Sequence, residues 1–205
     1  MDIGRITYWV FRVIPGVKVV KTDEYRKIKG PAIIVANHTG LADPHTVGAS
    51  FPTRRVHFMV SKEVMNVRGR RIFLKGMGCI PIDRGIFDLE SVKKCIAILK
   101  EGYMLGIFPQ GTIVHSDDVD SIKSGASLMA FKADVPVIPM YISPKKGKKY
   151  RKTVVIGGPI YPKDVSQGKR PSNADLNIFT ENIRQKMVEC KDVFDKISGK
   201  ESKEK

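Results

Sequence analysis

The chain has 205 residues, enough for one domain with a sizeable core, and its 42% hydrophobic content is typical of a globular protein. It carries 36 Lys and Arg against 21 Asp and Glu; the net charge of +15 either favours a polyanionic partner, such as nucleic acid or an anionic lipid surface, or only keeps the protein soluble. No apolar run reaches the roughly 18 residues of a membrane-spanning helix, no signal peptide is recognised, and three scattered cysteines predict free thiols on the cytosolic side.

The first twenty residues predict an amphipathic helix. Apolar residues recur on one helical stripe, with two arginines at its rim and Pro15-Gly16 at its end: Ile6, Trp9, Val10, Val13, Ile14, Arg5 and Arg12. This pattern is typical of an interfacial membrane anchor, although a helix packed on the protein's own core has the same spacing. We expect residues 1–20 to form an N-terminal membrane-anchoring helix, residues 21–198 the main domain, and residues 199–205 a disordered tail.

From residue 31 onward, apolar strand patterns alternate with helical patterns. The predicted strands are 31–37, 55–60, 78–83, 103–108, 135–142 and 153–159. The predicted helices are 44–51, 61–67, 88–101, 121–133 and 173–196. This alternation predicts an α/β fold with a mixed, largely parallel sheet flanked by helices.

Two basic clusters fall between the predicted elements. The segment 68–76 is predicted as a loop that carries Arg68, Arg70, Arg71 and Lys75. The run 145–152 contains six basic residues and no acidic residue, and it predicts an excursion between two strands. Both clusters are candidate contacts for a polyanionic partner.

A histidine and an aspartate lie five residues apart after the predicted strand 31–37. His38 follows the strand, and Asp43-Pro44 begins the next predicted helix. A neutral imidazole can take a proton from a hydroxyl, and a carboxylate can orient the ring and stabilise the imidazolium that forms. Two other interpretations are open. Asp before Pro is a common helix cap, and His38, Asp43 and His45 could belong to a metal site, although no further ligand completes it.

Three more stretches end predicted strands, where the ligand sites of α/β sheets gather. Residues 78–84 end on Asp83-Arg84, whose guanidinium either binds a phosphate or pairs with the neighbouring acid. In residues 105–112, Pro109 and Gly111 predict a turn whose backbone N–H groups face an anion, or a simple strand–turn. Residues 135–140 contain two prolines and predict an edge or irregular strand, because proline cannot donate to a ladder.

Together these four stretches resemble the glycerolipid acyltransferase family. Its four sequence blocks match here in order: Asn-His-x4-Asp at 37–43, Gly-x-x-x-Ile-Asp-Arg at 78–84, Phe-Pro-Glu-Gly-Thr at 108–112, and Val-Pro-x-x-Pro at 135–139. The Lys123-Ser-Gly125 sequence is similar to the Lys-x-Gly helix start that follows the family's third block. The order and spacing of the four blocks make the resemblance specific.

The resemblance implies an acyltransferase that moves a fatty acyl group from acyl-CoA or acyl-carrier protein to the free sn-2 hydroxyl of lysophosphatidic acid, with no cofactor and no metal. His38 is then the general base and Asp43 its partner, with Asn37 and Gly40 in support. The residues implied to hold the acceptor's phosphate are Arg84, Gln110, Gly111, Thr112 and Lys123. The product, phosphatidic acid, belongs to phospholipid biosynthesis, so we expect peripheral attachment to an anionic membrane surface at the cytoplasmic face of the cell membrane.

No Ser or Cys in these blocks is placed to act as a covalent nucleophile, so we expect direct attack of the hydroxyl on the thioester. Backbone amides near Gly40 or Gly111 are candidate donors to the oxyanion. The chain departs from the family at the third block, where Gln110 replaces Glu and Ile113 stands at the position of an Arg. The phosphate site then depends on the remaining cations and on backbone donors, and a different lysophospholipid acceptor is an alternative.

A basic nucleic-acid-binding protein is the leading rival. It would explain the net charge and the run 145–152, but no nucleic-acid-binding motif is recognisable, and Tyr150 is the one aromatic residue in that run. We therefore expect no nucleic-acid partner. A His/Asp metallohydrolase is disfavoured by its incomplete ligand set.

Overall fold

The structure is a computed structural model, and it describes residues 17–40, 42–67, 69–76, 78–82, 89–109, 124–144, 152–166 and 170–201. The strands are β1 (Val17–Lys21), β2 (Ala32–Ala36), β3 (Val56–Ser61), β4 (Ile80–Ile82), β5 (Met104–Ile107), β6 (Val137–Ile142) and β7 (Lys152–Ile156). The helices are α1 (Asp43–Ser50), α2 (Lys62–Met65), α3 (Arg70–Gly76), α4 (Leu89–Lys100), α5 (Gly125–Ala133) and α6 (Asn173–Glu201), with a 3₁₀ turn at Pro162–Asp164.

The strands form one seven-stranded sheet in the order β1-β7-β6-β2-β5-β3-β4. Neighbouring strands from β6 to β4 are parallel, whereas β7 runs antiparallel to β6, and β1 runs parallel to β7. The predicted mixed, largely parallel sheet flanked by helices is confirmed. Because β7 is reversed, its amino end lies beside the carboxyl ends of β6 and β2.

The core occupies both faces of the sheet, as the alternation of side chains along a strand requires. On one face Ile33 and Val35 of β2 belong to a cluster with residues of α4, α5 and α6. On the other face Ile34 packs in a second cluster with Val47 of α1. All five residues of β2 are buried, which makes this strand the centre of the fold and a rigid support for the residues that follow it.

Three elements differ from the sequence-based predictions. Strand β1 was not predicted, and residues 17–20, which the prediction placed in the N-terminal helical segment, belong to it. Helix α3 replaces the predicted loop at 68–76. Helix α6 continues to Glu201, so residues 199–201 are helical and do not belong to a disordered tail. The predicted helix within residues 1–16 lies outside the described residues.

The proline-containing strand β6 is internal, so of the predicted edge or irregular strand the edge alternative is wrong. The register explains how the sheet accepts Pro139. Val137 exchanges two hydrogen bonds of 2.9 Å with Ile160, and the antiparallel ladder with β7 begins at Met140. Pro139 lies between these two contacts and donates no bond, but its carbonyl accepts the N–H of Gly157 at 2.9 Å, so the strand stays attached at the proline.

Within the described ranges, no helix combines the length and the apolar character needed to cross a membrane.

Candidate active site

Asn37 fixes the carboxyl end of β2 to its neighbour β6. Its buried side-chain amide donates to the Ile142 carbonyl at 2.9 Å and accepts the Ile142 N–H at 2.7 Å, as a strand residue would. Because both amide groups are satisfied, the chain leaves β2 in one defined direction. The next residue, His38, is thereby held above the edge where β2 and β6 end.

His38 and Asp43 form the predicted pair. The His38 Nδ1 lies 2.9 Å from Asp43 Oδ2, and the carboxylate is completely buried while 17% of the histidine side chain is exposed. The same Oδ2 accepts the backbone N–H groups of Thr39 at 2.5 Å and Gly40 at 2.7 Å. Residues 38–40 thus close around the Asp43 carboxylate and present the imidazole.

The alternative in which Asp43 caps helix α1 is not what the structure has. Asp43 is itself the first helical residue, the cap position is Ala42, and Ala42 has no side-chain hydrogen bond to the helix. The carboxylate accepts from residues that precede it and not from the first turn of α1. The carboxylate therefore holds the residues before the helix together and contacts the His38 ring.

Lys152 is a member of the site that the sequence analysis missed. It is the first residue of β7, and its Nζ donates to Asp43 Oδ1 and, at 2.8 Å, to the Thr39 hydroxyl. The Thr39 hydroxyl in turn donates to Asp43 Oδ1 at 3.2 Å. The ammonium lies at the same edge as His38 because β7 is antiparallel to β6, a topological fact that neither the basic run 145–152 nor its spacing to Asp43 reveals.

The Asp43 carboxylate is stabilised in its ionised form. Burial raises its pKa, but the hydrogen bonds from His38 and Lys152, the charge of Lys152 and the Gly40 N–H together outweigh burial and hold the pKa below its ordinary value of 3.8. Asp43 is therefore a permanent anion at neutral pH. A histidine whose Nδ1 contacts such an anion, and whose ring is partly open, has the arrangement of a general base.

An aromatic stack supports the imidazole from the adjacent strand β5. The ring of Phe108, the residue after β5, stacks on His38 with centroids 4.4 Å apart, and Phe58 lies parallel to Phe108 at 6.1 Å. Gly106 makes room for this arrangement, because a Cβ at that position would lie 2.3 Å from the Phe58 ring. Packing and the Asp43 carboxylate thus fix the histidine from two directions.

The other predicted site residues are not all within the described part of the chain. Arg84, Gln110, Gly111, Thr112 and Lys123 lie outside it, as does Ile113, so their roles stay predictions. Gly40 is described, and its N–H is already engaged by Asp43. The expectation that a backbone amide near Gly40 donates to an oxyanion stays a prediction.

Among the described residues, no three His, Cys, Asp or Glu side chains are grouped so that they could hold a metal ion, and this includes His38, Asp43 and His45. The three cysteines are buried thiols that form no disulfide. Burial raises the pKa of each thiol to about 12, so the reactive thiolate form is suppressed: Cys79, Cys95 and Cys190.

A cavity of about 300 Å³ lies beyond the carboxyl end of β3 and against β4. Its lining combines the basic side chains of Lys62, Arg71 and Lys75 with apolar groups such as Met65 and Pro81. The strand order places it on the same edge of the sheet as His38, on the side of β5 away from β2. Part of the predicted basic cluster 68–76 therefore faces the active edge.

Comparison with known proteins defines the class to which this fold and His–Asp pair belong. The Acyltransferase family model matches residues 17–143, a range that contains β1 to β6 and the whole of the His38–Asp43 loop. The 1-acyl-sn-glycerol-3-phosphate acyltransferase of Bacillus subtilis is 33% identical over 191 residues, which cover 89% of this chain and 92% of that protein. The chain therefore belongs to the acyltransferase family.

More distant relatives agree with this assignment. The 1-acyl-sn-glycerol-3-phosphate acyltransferase of Streptococcus pneumoniae is 31% identical over 158 residues, 74% of this chain and 57% of that protein. The crystal structure of the 1-acyl-sn-glycerophosphate (LPA) acyltransferase PlsC from Thermotoga maritima superposes with a TM-score of 0.62, covering 94% of this chain and 78% of that chain at 21% identity. At that identity the likeness concerns the fold.

Proposed function

We propose that the protein transfers a fatty acyl group from a thioester donor, acyl-CoA or acyl-carrier protein, to the sn-2 hydroxyl of lysophosphatidic acid, and that His38 is the general base. The observation that carries the proposal is the 2.9 Å contact between His38 Nδ1 and the buried Asp43 carboxylate. The names of the Bacillus and Streptococcus relatives support lysophosphatidic acid as the acceptor.

In the proposed mechanism Asp43 engages Nδ1, so Nε2 of His38 is the nitrogen that takes the proton of the acceptor hydroxyl. The hydroxyl oxygen attacks the thioester carbonyl carbon and forms a tetrahedral intermediate. The intermediate then collapses with cleavage of the C–S bond, and the imidazolium returns its proton to the departing thiolate. Asp43 stabilises the imidazolium between these two steps without taking a proton itself.

Replacing His38 by Ala tests the proposed base. Acyl transfer from radiolabelled acyl-CoA or acyl-carrier protein to lysophosphatidic acid should fall by about 10²–10⁴-fold, the usual contribution of a general base. His38→Gln is the matched variant, because its amide can still contact Asp43 but cannot take a proton. Thermal unfolding curves should show that both variants are folded at the assay temperature. Substantial activity in either variant would refute the assignment.

We further propose that the protein attaches peripherally to an anionic membrane surface. Helix α3 supports this proposal, because it exposes Arg71 and Lys75 beside Ile72, whose side chain is 81% accessible. Each basic residue near an anionic surface contributes about 1 kcal/mol of attraction. Exposed aliphatic groups framed by cations are typical of an interfacial contact.

Flotation with vesicles of phosphatidylglycerol and phosphatidylcholine tests the attachment. Arg71→Ala and Lys75→Ala should each lower the partition coefficient by about fivefold at low salt, the equivalent of about 1 kcal/mol per charge. Removal of residues 1–16, which leaves β1 intact, tests the predicted anchor separately. Lys93→Ala, an exposed change on α4, is the control; binding that is equal for all four proteins would contradict the proposal.

A further inference from the structure

Lys152 reaches the catalytic pair from a part of the chain 109 residues away from Asp43. Only 13% of its side chain is exposed, although lysine ordinarily keeps its ammonium in water. Its two contacts, with Asp43 Oδ1 and with the Thr39 hydroxyl, account for this burial. An ammonium is held inside the protein only where a counter-charge is available, and here the counter-charge is the carboxylate that orients His38.

The two oxygens of Asp43 have separate partners. Oδ2 contacts His38 and the backbone of the loop, whereas Oδ1 contacts Lys152 and the hydroxyl of Thr39. A carboxylate bound at both oxygens cannot rotate, so the Lys152 contact on Oδ1 keeps Oδ2 directed at the His38 ring. This is a geometric effect, and a neutral hydrogen-bond donor could supply part of it.

The positive charge of Lys152 has a second effect that no neutral donor can supply. His38 and Asp43 share a hydrogen bond, so the proposed base depends on the negative charge of this carboxylate. A cation in contact with the carboxylate opposes the arrival of each further proton. The ammonium therefore helps to hold the pKa of Asp43 below its ordinary value, so that the carboxylate in contact with His38 keeps its negative charge.

Other ionisable groups near helix α1 do not replace Lys152 in this role. Helix α1 packs against β1, β3 and β7, and their ionisable side chains, with the one inside α1 itself, are Lys18, Lys21, His57, Lys152 and His45. The groups that act on the Asp43 carboxylate are His38 and Lys152. Lys21 lies over the Tyr25 ring, and His57 contacts the Gly78 carbonyl at the opposite edge of the sheet.

We propose that Lys152 is a positioning residue of the acyl-transfer reaction, which holds Asp43 toward His38 and keeps the Asp43 carboxylate charged at low pH. The inference rests on the proposed function, because it requires His38 to be the base. Lys152 thereby takes part in the reaction from outside the 37–43 segment, as a residue that positions Asp43.

The test is the pH dependence of kcat/KM for the full-length protein with Lys152 replaced by Gln or by Arg. Lys152→Gln keeps a donor for Asp43 without the charge, so the acid limb should move up by about one pH unit or more, the usual effect of a lost contacting charge. A shift of one unit lowers the rate on that limb by about tenfold, while the loss at high pH is smaller. Lys152→Arg keeps the charge, so its limb should stay near that of the unmodified protein.

Lys18→Met on the neighbouring strand β1 is the control, and it should leave the profile unchanged. A Gln variant that loses activity equally at all pH values would reduce Lys152 to a structural residue and overturn the proposal, as would an Arg variant that shifts as far as Gln. If Gln does not fold, a shifted limb for Arg overturns the proposal and an unshifted limb supports it. The test is independent of His38→Ala, whose retained activity would refute the proposed base itself.

Discussion

Two histidines occupy opposite edges of the same sheet, and they show what separates the proposed base from a packing residue. His38 follows the carboxyl end of β2, and its Nδ1 contacts the Asp43 carboxylate. His57 lies near the amino end of β3, and its Nδ1 donates to the Gly78 carbonyl at the same distance, 2.9 Å. A carbonyl fixes the ring as well as a carboxylate does, but it offers no negative charge to stabilise an imidazolium.

The two sites also differ in access and in charge. His57 is buried, and among the described residues its Nε2 has no hydrogen-bond partner. Burial lowers its pKa, the Gly78 carbonyl opposes that shift, and nearby Arg55 reinforces it. His57 is therefore a neutral packing group, whereas His38 keeps part of its ring open beside a permanent anion. The partner and the edge of the sheet, and not the histidine alone, distinguish the proposed base from a packing histidine.

The largest expected effect comes from removing the charge that distinguishes the two sites. Asp43→Asn should lower kcat by about 10³–10⁴-fold, because an amide neither holds the productive tautomer of His38 nor stabilises its imidazolium. The same change leaves the Lys152 ammonium buried without its counter-charge, which costs about 3–5 kcal/mol of unfolding free energy. Urea unfolding and the acyl-transfer assay measure the two losses on the same sample.

His38→Ala separates the two effects of Asp43→Asn, because it leaves the Asp43–Lys152 ion pair in place. It should lose activity, but its free energy of unfolding should fall much less than that of Asp43→Asn. Equal losses of stability in the two variants would mean that the ion pair contributes little to the fold, and retained activity in Asp43→Asn would remove the orienting role.

A smaller effect is expected at two glycines, one beside the aromatic stack that supports His38 and one beside the His57 ring. A Cβ at Gly106 would lie 2.3 Å from the Phe58 ring, which is stacked on the Phe108 ring that supports His38. A Cβ at Gly78 would lie 2.4 Å from the His57 ring, at a backbone φ of +73° that favours glycine. Both substitutions overpack the core and should cost about 1–3 kcal/mol of stability.

Only one of the two glycine substitutions should alter catalysis. Gly106→Ala displaces the stack that supports the base and should lower kcat by about tenfold or more, as small misplacements of a catalytic group do. Gly78→Ala should keep the kcat of the folded fraction. Both are assayed well below their melting temperatures, and equal losses of kcat in the two variants would show that the stack does not position His38.

The sequence predicted what is local in this site. The His38–Asp43 spacing places both groups in one short loop after a fully buried strand, so the pair could be recognised without the fold. Lys152 could not be recognised, because its position depends on the reversal of β7 and its residue type is hidden in a run of basic residues. Pro139 misled the prediction because its place between the Ile160 bridge and the ladder to β7 depends on the register of distant segments.

Two missed elements have a similar cause. Strand β1 consists of Val17–Lys21, and none of its five residues is fully buried, so it has little of the apolar pattern that identified the central strands. It is stabilised as an edge strand by its parallel pairing with β7. Helix α3 is rich in arginine and lysine, which a sequence pattern assigns equally to a solvated loop. Elements whose stability depends on distant pairing are poorly marked in sequence.

The smallest expected effect concerns the pH dependence of stability at His57. Its folded-state pKa is lowered from the ordinary value of 6.5, so the unfolded chain takes up a proton that the folded protein resists. His57 therefore costs no stability above pH 6.5. As the pH falls below that value, the free energy of unfolding decreases by at most about 1.4 kcal/mol per pH unit. Asp43, with a pKa held below 3.8, loses its contribution only at lower pH, so the two windows are separate.

His57→Asn tests this contribution, because the Asn amide can replace the Nδ1 donor to Gly78 while it has no proton to gain. Urea unfolding between pH 5 and pH 7.5 should give a flatter stability profile for His57→Asn than for the unmodified protein, and acyl transfer at pH 7.5 should be unchanged. An equally steep profile in both proteins would assign the acid sensitivity to other groups. A loss of activity without a loss of stability would contradict the contrast between the two histidines. It would place His57 in the acyl-transfer reaction that is proposed for His38.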